Sequence, residues 1–242
     1  SAIGAFSVDF SLLALTEKAL PGYTRAEVSV LVHPQFTNNR LANIQYLLVC
    51  PETGDAVAID PWDAEALSAL ARTEGYQIRY IVNTHAHWDH IHGNNALVEK
   101  TGARVFCHPA ACASISPSAV GLEGGTRFSI GHREVQVIDT PGHTMSHICL
   151  LGESEAPFLI SGDTLFQGGA GNCHNGGDPD VLFETFRQKI WPLPDETVLL
   201  PGHAYMENNL RFALSREPGN HFASELLGKL EGKNPLNTTI GD

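Results

Sequence analysis

A layered domain of mixed sheet and helix, α/β or α+β, follows from three features of the 242-residue chain. Its first third carries short apolar and β-branched runs separated by turn residues. After Gly75 such runs alternate with stretches of helical periodicity. Hydrophobic residues make up 43% and charged residues 17%, with 23 Gly and 14 Pro, which is the composition of a loop-rich globular protein and excludes intrinsic disorder. The length allows one large domain, or a main domain with an appendage, at roughly 100–200 residues per domain.

Glu27 to His33 is β-branched and alternating, Ile44 to Cys50 is an apolar run, Pro51 to Asp55 supplies turn residues, and Ala56 to Asp60 is a second apolar run. Together they predict a meander-like sheet. Asp63 is placed to cap a helix reaching Glu74, with Ala66, Leu67, Leu70 and Ala71 at helical spacing and Gly75 as the stop. Then come a strand at Tyr80 to Asn83, a helix at Asn94 to Thr101 and a strand at Arg104 to Cys107. Phe128 to Ile130 pairs with Glu134 to Ile138 around Gly131, and His147 to Leu151 with Phe158 to Ser161 around the turn at Glu153 to Pro157. Asp178-Pro179 reads as an N-cap with proline at the first helical position, followed by Leu182, Phe183, Phe186 and Ile190 on one apolar face. Phe222 to Leu230 forms a closing helix. Residues 1–25 form an N-terminal arm whose Phe10, Leu12, Leu13, Leu15 and Leu20 would pack on the domain or on a second copy, giving a homo-oligomer.

The net charge of −12 has the wrong sign for neutralising nucleic-acid phosphates or an anionic membrane surface. No run of 18 apolar residues and no secretory pattern occurs, so a soluble protein is expected. The five cysteines are odd in number, scattered and without a CxxC pair, which points away from a disulfide framework and toward a reducing cytoplasm.

The 12 histidines cluster. Thr84-His85-Ala86-His87-Trp88-Asp89-His90 puts four metal-ligating side chains into six residues directly after an apolar strand. His85 and His87, two apart at a strand end, point to one side, while Asp89 and His90 lie past the turn and face a second position. Packing gains little from crowding imidazoles and a carboxylate, whereas metal binding requires it. Three further strands end in tight turns that present a ligand: Val135 to Ile138 leads to His143, Phe158 to Ile160 to Asp163, and Val198 to Leu200 to His203. Binding residues gather on loops held by a rigid scaffold, so these ends are expected to converge.

Chemically, His85, His87 and His143 make one three-ligand set, Asp89, His90 and His203 a second, and Asp163 is the carboxylate left to bridge them. Three protein ligands per ion leave a position open, as catalytic sites do. Two ions about 3.5–4 Å apart share a hydroxide that attacks a polarised carbonyl or phosphoryl group, so hydrolysis is the expected chemistry.

The Thr-His-x-His-x-Asp-His run with its separated His, Asp and His resembles the metallo-β-lactamase superfamily over Val28 to His203. Within it the chain is most similar to the glyoxalase II group, the hydroxyacylglutathione hydrolases. The similarity rests on Trp88, Thr140-Pro141-Gly142-His143-Thr144 with His147, Ser161 to Phe166, and Pro201-Gly202-His203-Ala204-Tyr205 with the following Asn208 to Ala213. The resemblance implies a four-layer αββα sandwich over residues 26–205 with a short helical tail at 206–242. It also implies all seven metal positions, with two zinc ions or with iron or manganese in their place, and hydrolysis of S-D-lactoylglutathione or a related acyl-thiol. Asp89 would also orient the bridging hydroxide, and Tyr205 would contact the thiol portion. Gly168 to Gly177 stands where the family has a glycine-rich turn bearing a basic residue and an aromatic that hold glutathione, which makes Asn172 and His174 the substrate-binding candidates. Only 39 residues follow His203, and none after Lys233 is basic. The competing reading is a mononuclear iron persulfide dioxygenase of the same superfamily, using His87, His143 and Asp163. The complete Asp89-His90 pair disfavours a true β-lactamase, and the acidic charge disfavours a nuclease.

Overall fold

The computed structural model describes residues 30–153, 156–230 and 238–241. The proposed N-terminal arm, with its apolar residues from Phe10 to Leu20, lies outside them. The first sheet holds β1 (Leu31–Phe36), β2 (Ile44–Val49), β3 (Asp55–Ile59), β4 (Gln77–Val82), β5 (Arg104–Cys107) and β6 (Val120–Gly121), in that spatial order. β1 to β3 pair antiparallel, as the expected meander, and β3 to β6 pair parallel. The described part of the first strand begins at Leu31 and runs through Pro34, which an edge strand tolerates because one side of its backbone is unpaired.

The second sheet holds β7 (Arg127–Ile130), β8 (Arg133–Asp139), β9 (Ile148–Gly152), β10 (Phe158–Gly162) and β13 (Val198–Pro201), ordered β13-β10-β9-β8-β7. Between β10 and β13 a small hairpin, β11 (Leu165–Phe166) and β12 (Gly169–Ala170), opens the glycine-rich loop. The helices are α1 (Ala64–Glu74), α2 (Trp88–Ile91), α3 (Asn94–Thr101), α4 (Cys112–Ile115), α5 (Pro179–Thr185), α6 (Met206–Arg216) and α7 (His221–Leu230). α1 begins and ends as its sequence dictates: the Asp63 carboxylate accepts from Ala66 N–H, and Gly75 closes it in the left-handed region at φ 76°.

Alternation along the strands builds the layers. Tyr46, Leu48, Val57, Ile59, Ile148, Leu150, Phe158, Ile160 and Leu200 point between the sheets into one core. Their neighbours Leu47, Val49, Ala56 and Ala58 face outward onto α1 and α3, and Cys149, Leu151, Leu159 and Leu199 face the helix that begins at α5. Strands covered on both faces read as near-continuous apolar runs, which is why Ile44 to Cys50 is apolar apart from Gln45, itself buried and accepting from Trp62 and Asp63 N–H. The result is helix, sheet, sheet, helix, with α6 and α7 packed on each other through Met206, Leu210, Ala223 and Leu230.

The apolar face expected after Asp178 needs one correction. Leu182 and Ile190 are buried and Phe186 is half-buried, but Phe183 is exposed and packs edge-on against Trp191. Phe183 sits about 100° round the helix from Leu182, and after Thr185 the helix widens into a π turn at Phe186–Ile190, which turns the face away from Phe183. Among the described residues no helix is long and apolar enough to cross a membrane.

Candidate metal centre

The C-terminal ends of β3, β4, β8, β10 and β13 meet at one edge of the sandwich. Backbone bonds stitch that edge: Ile148 N–H donates to Thr84 O and Ile44 N–H to Gly202 O across the two sheets, and Gly202 N–H donates to Gly162 O within the second. Tyr46, buried in the core, donates its hydroxyl to Pro201 O at 2.6 Å and anchors the turn that carries His203. The turns are tight enough to demand glycine. Gly162 has φ 49° under Thr84 and His147, and any Cβ at Gly171 would overlap Asp163 O and His143 Nδ1.

All seven expected side chains arrive here. His85, His87 and His143 form one group and Asp89, His90 and His203 another, each with its ligand atoms within 4.8 Å of one another. Asp163 stands between them, with Oδ2 3.5 Å from His143 Nε2 and 3.3 Å from His203 Nε2, and Oδ1 3.3 Å from His90 Nε2. Within the first group His87 Nδ1 lies 3.0 Å from His85 Nε2 and 3.1 Å from His143 Nε2; within the second His90 Nε2 lies 3.1 Å from His203 Nε2.

The outer nitrogens decide what those short contacts mean, because a tautomer is set by the bond the other nitrogen makes. Thr84 donates its hydroxyl to Asp60 at 2.6 Å and so accepts from His85 Nδ1. His90 Nδ1 donates to Asp60 Oδ2, His143 Nδ1 to Asn172 O, and His203 Nδ1 to Leu41 O. His87 is bound the other way round, its Nε2 donating to Asn175 O. All five rings thus spend a proton on an outer acceptor and turn a lone pair inward. Lone pairs facing each other at about 3 Å repel unless a cation or proton lies between them. Asp163 Oδ1 is buried and makes no hydrogen bond. A donor set of imidazole nitrogens with an unsatisfied carboxylate oxygen fits divalent metal ions.

The electrostatics agree. Burial pushes the His85 pKa well down, helped by the surrounding histidines, and lowers His143 against the pull of Asp163. His90 is opposite: burial would lower it, but Asp163, Asp60 and Asp89 outweigh that and raise it to about 9. Burial would likewise raise the Asp163 carboxyl, yet His90, His203 and His143 hold it well below the usual carboxylate range.

Three residues at this edge were not foreseen. Asp60 ends β3 and accepts from Thr84 N–H, the Thr84 hydroxyl and His90 Nδ1, so both oxygens are engaged in orienting other groups. The signal existed, since Asp60 follows an apolar strand just as the ligands do. Asn43 donates to Asp89 at 2.9 Å, and Leu41 offers its carbonyl; neither carries a sequence signature. His147 takes the Asp163 N–H on Nε2 and bonds Thr140 and Thr164 through Nδ1. Burial lowers its pKa to about 3, which keeps it neutral beneath the bridge position. Tyr205 stacks on His203 at 4.7 Å. Asn172 bonds its own loop, accepting from His174 N–H, and His174 is exposed.

Residues 44–203 match the family described as the Metallo-beta-lactamase superfamily. Curated relatives include a hydroxyacylglutathione hydrolase of Polaromonas sp. strain JS666, 46% identical over 87% of this chain and 81% of its own. A hydroxyacylglutathione hydrolase of Nitrosococcus oceani is also 46% identical, over 85% and 79%. Among solved structures, TTHA1623 in a di-iron-bound form is 33% identical with a TM-score of 0.60 over 71% of this chain and 91% of its own. ETHE1 from Myxococcus xanthus is 26% identical with a TM-score of 0.64 over 87% and 99%. With this fold and this His/Asp edge, the chain belongs to the metallo-β-lactamase superfamily and, within it, to the hydroxyacylglutathione hydrolase group of metal-dependent hydrolases.

Proposed function

We propose that this chain hydrolyses the thioester of S-D-lactoylglutathione, or of a closely related acyl-thiol, at a binuclear metal centre. One observation carries the reading: five imidazoles, each tied outward to an acceptor, and two carboxylates face one space as two three-ligand sets sharing Asp163. His85, His87 and His143 would hold one ion, Asp89, His90 and His203 the other, and Asp163 both. When bound, such ions supply Lewis-acid polarisation of the thioester carbonyl and a water acidified toward neutral pH. Zinc is the default for this ligand mixture, with iron and manganese also accepted. The two-by-three arrangement favours hydrolysis over the mononuclear dioxygenase reading, which would leave Asp89, His90 and His203 without a task.

The chain's own groups have separable parts in this reaction. Asp89 fixes the second set and orients the attacking water. His147, neutral and buried, holds the Asp163 backbone so that the carboxylate keeps its place between the sets. Tyr205 remains a neutral phenol, its pKa raised to about 12 by burial and by Asp163 and Asp89, and presents a hydroxyl toward the thiol portion. Asn172 and His174 lie on the loop whose carbonyls hold His143 and His87, a position that supports a substrate contact. The departing thiol ionises near a pKa of about 8.5, so no dedicated general acid is needed. All five cysteines are free thiols, which supports a reducing cytoplasmic setting.

The test is turnover of S-D-lactoylglutathione by protein of measured metal content, with oxygen uptake on glutathione persulfide followed in the same preparation. Rapid thioester loss with two ions per chain and no oxygen uptake is expected. Oxygen uptake with one iron per chain and little hydrolysis overturns the reading.

A further inference from the structure

The loop between β1 and β2 contributes no ligand, yet it touches the second ligand set three times. Leu41 O accepts from His203 Nδ1 at 2.7 Å, Asn43 forms an isolated antiparallel bridge with His203, and the Asn43 side chain reaches Asp89 Oδ2 at 2.9 Å. We infer that Asn43 is a positioning residue for Asp89 and thereby sets the affinity of the second metal position selectively. The inference rests on the binuclear reading above.

The orientation of the Asn43 amide follows from donors that cannot reverse. Asn39 Oδ1 accepts from the backbone N–H of Leu41 at 2.9 Å, so the other end of the Asn39 amide is its NH2. That NH2 donates to Asn43 Oδ1 at 2.9 Å, which leaves the Asn43 NH2 for Asp89. Asn43 is 3% exposed, so water does not replace this bond. The Asp89 oxygen that receives it lies 3.5 Å from both His90 Nε2 and His203 Nε2. One lone pair of that oxygen is taken by the amide, and the other is thereby aimed between the two rings. The loop holds this shape against preference, since Ala42 sits at φ 51° with its carbonyl taking Ala204 N–H. The outer nitrogens of the first set are held elsewhere, on Thr84, Asn175 and Asn172. Loss of the Asn43 bond therefore strikes one position and not the other.

The experiment strips the parent protein and the Asn43→Ala and Asn43→Asp variants with a chelator, then titrates each with Co2+ followed by visible absorption. The parent takes two equivalents. In both variants the first equivalent binds as in the parent and the second about 10- to 100-fold more weakly, the usual loss when an outer partner of a ligand is removed. An unchanged first equivalent beside a weakened second is a split that a general structural defect would not produce. The inference is overturned if both equivalents weaken alike, if neither does, or if the parent itself binds a single equivalent. Should the Asn43 variants fail to fold, Asn39→Ala removes the bond that orients the amide: a selective loss at the second equivalent supports the inference, and an unchanged titration refutes it. A parent that binds two ions but leaves S-D-lactoylglutathione intact would sink the proposed substrate and leave the role of Asn43 standing.

Discussion

Asp60 shows how much of the centre depends on groups outside the two three-ligand sets. Its Oδ2 takes both the Thr84 hydroxyl and His90 Nδ1, and its Oδ1 takes Thr84 N–H. An asparagine there keeps one acceptor oxygen and turns a donor toward groups that already donate. Asp60→Asn is therefore expected to cost about 10- to 100-fold in metal affinity, read by competition with a chromogenic chelator. At Gly171 the limit is space. A methyl group would overlap Asp163 O and His143 Nδ1, so Gly171→Ala should lose about 1–3 kcal/mol in urea unfolding, as overpacked sites do, together with part of its bound metal.

At the scale of elements, the edge opposite the centre is joined by turns. The β7-β8 hairpin turn at Gly131 packs on Cys50 and Thr53, and Arg133 pairs with Glu52. The Arg133 bond holds the Glu52 carboxyl down, from 4.5 to about 2, against the opposing effect of burial. A carboxylate lowered by folding adds stability above its unfolded value of 4.5 and loses it as pH falls toward 2. Arg133→Met should remove that pH-dependent component, which denaturation midpoints compared at pH 6 and pH 3 would reveal as a flatter slope; an unchanged slope would deny the pair its part. The elements themselves were largely legible. The α1 cap and stop, the Asn94–Thr101 helix and the β5 strand have the limits their residues indicate, because cap, period and stop are local in sequence. The convergence of the seven side chains was legible too, since four of them share one turn and three repeat a strand-turn-ligand pattern. Asn43 and Leu41 were not. Their partners lie 46 and 162 residues away, and an amide or a backbone carbonyl in a loop has no pattern of its own.

For the whole molecule, two sheets share one interior, and the centre sits where that interior reaches the surface. Leu48 is fully buried between the sheets, so Leu48→Ala should cost about 2–5 kcal/mol of unfolding free energy, measured by denaturant titration. Metal removal acts on the same equilibrium from the other side. Ions that bind only the folded chain stabilise it by mass action, so chelation should lower the melting temperature, and re-addition of metal should restore it in a concentration-dependent way. A melting temperature indifferent to chelator would mean that the ligand edge is held by its hydrogen bonds alone. The way the histidines are anchored has a consequence for how this enzyme could diversify. His87 and His143 are gripped by the peptide carbonyls of residues 175 and 172, and peptide carbonyls survive any change of side chain. If Asn172 and His174 contact the substrate as proposed, the glycine-rich loop separates two duties: its main chain holds His87 and His143 while its side chains select the acyl-thiol. A library randomised at Asn172 and His174 should retain full metal content while its members drift apart in the acyl-thiols they accept, making this loop the natural place to retune the enzyme.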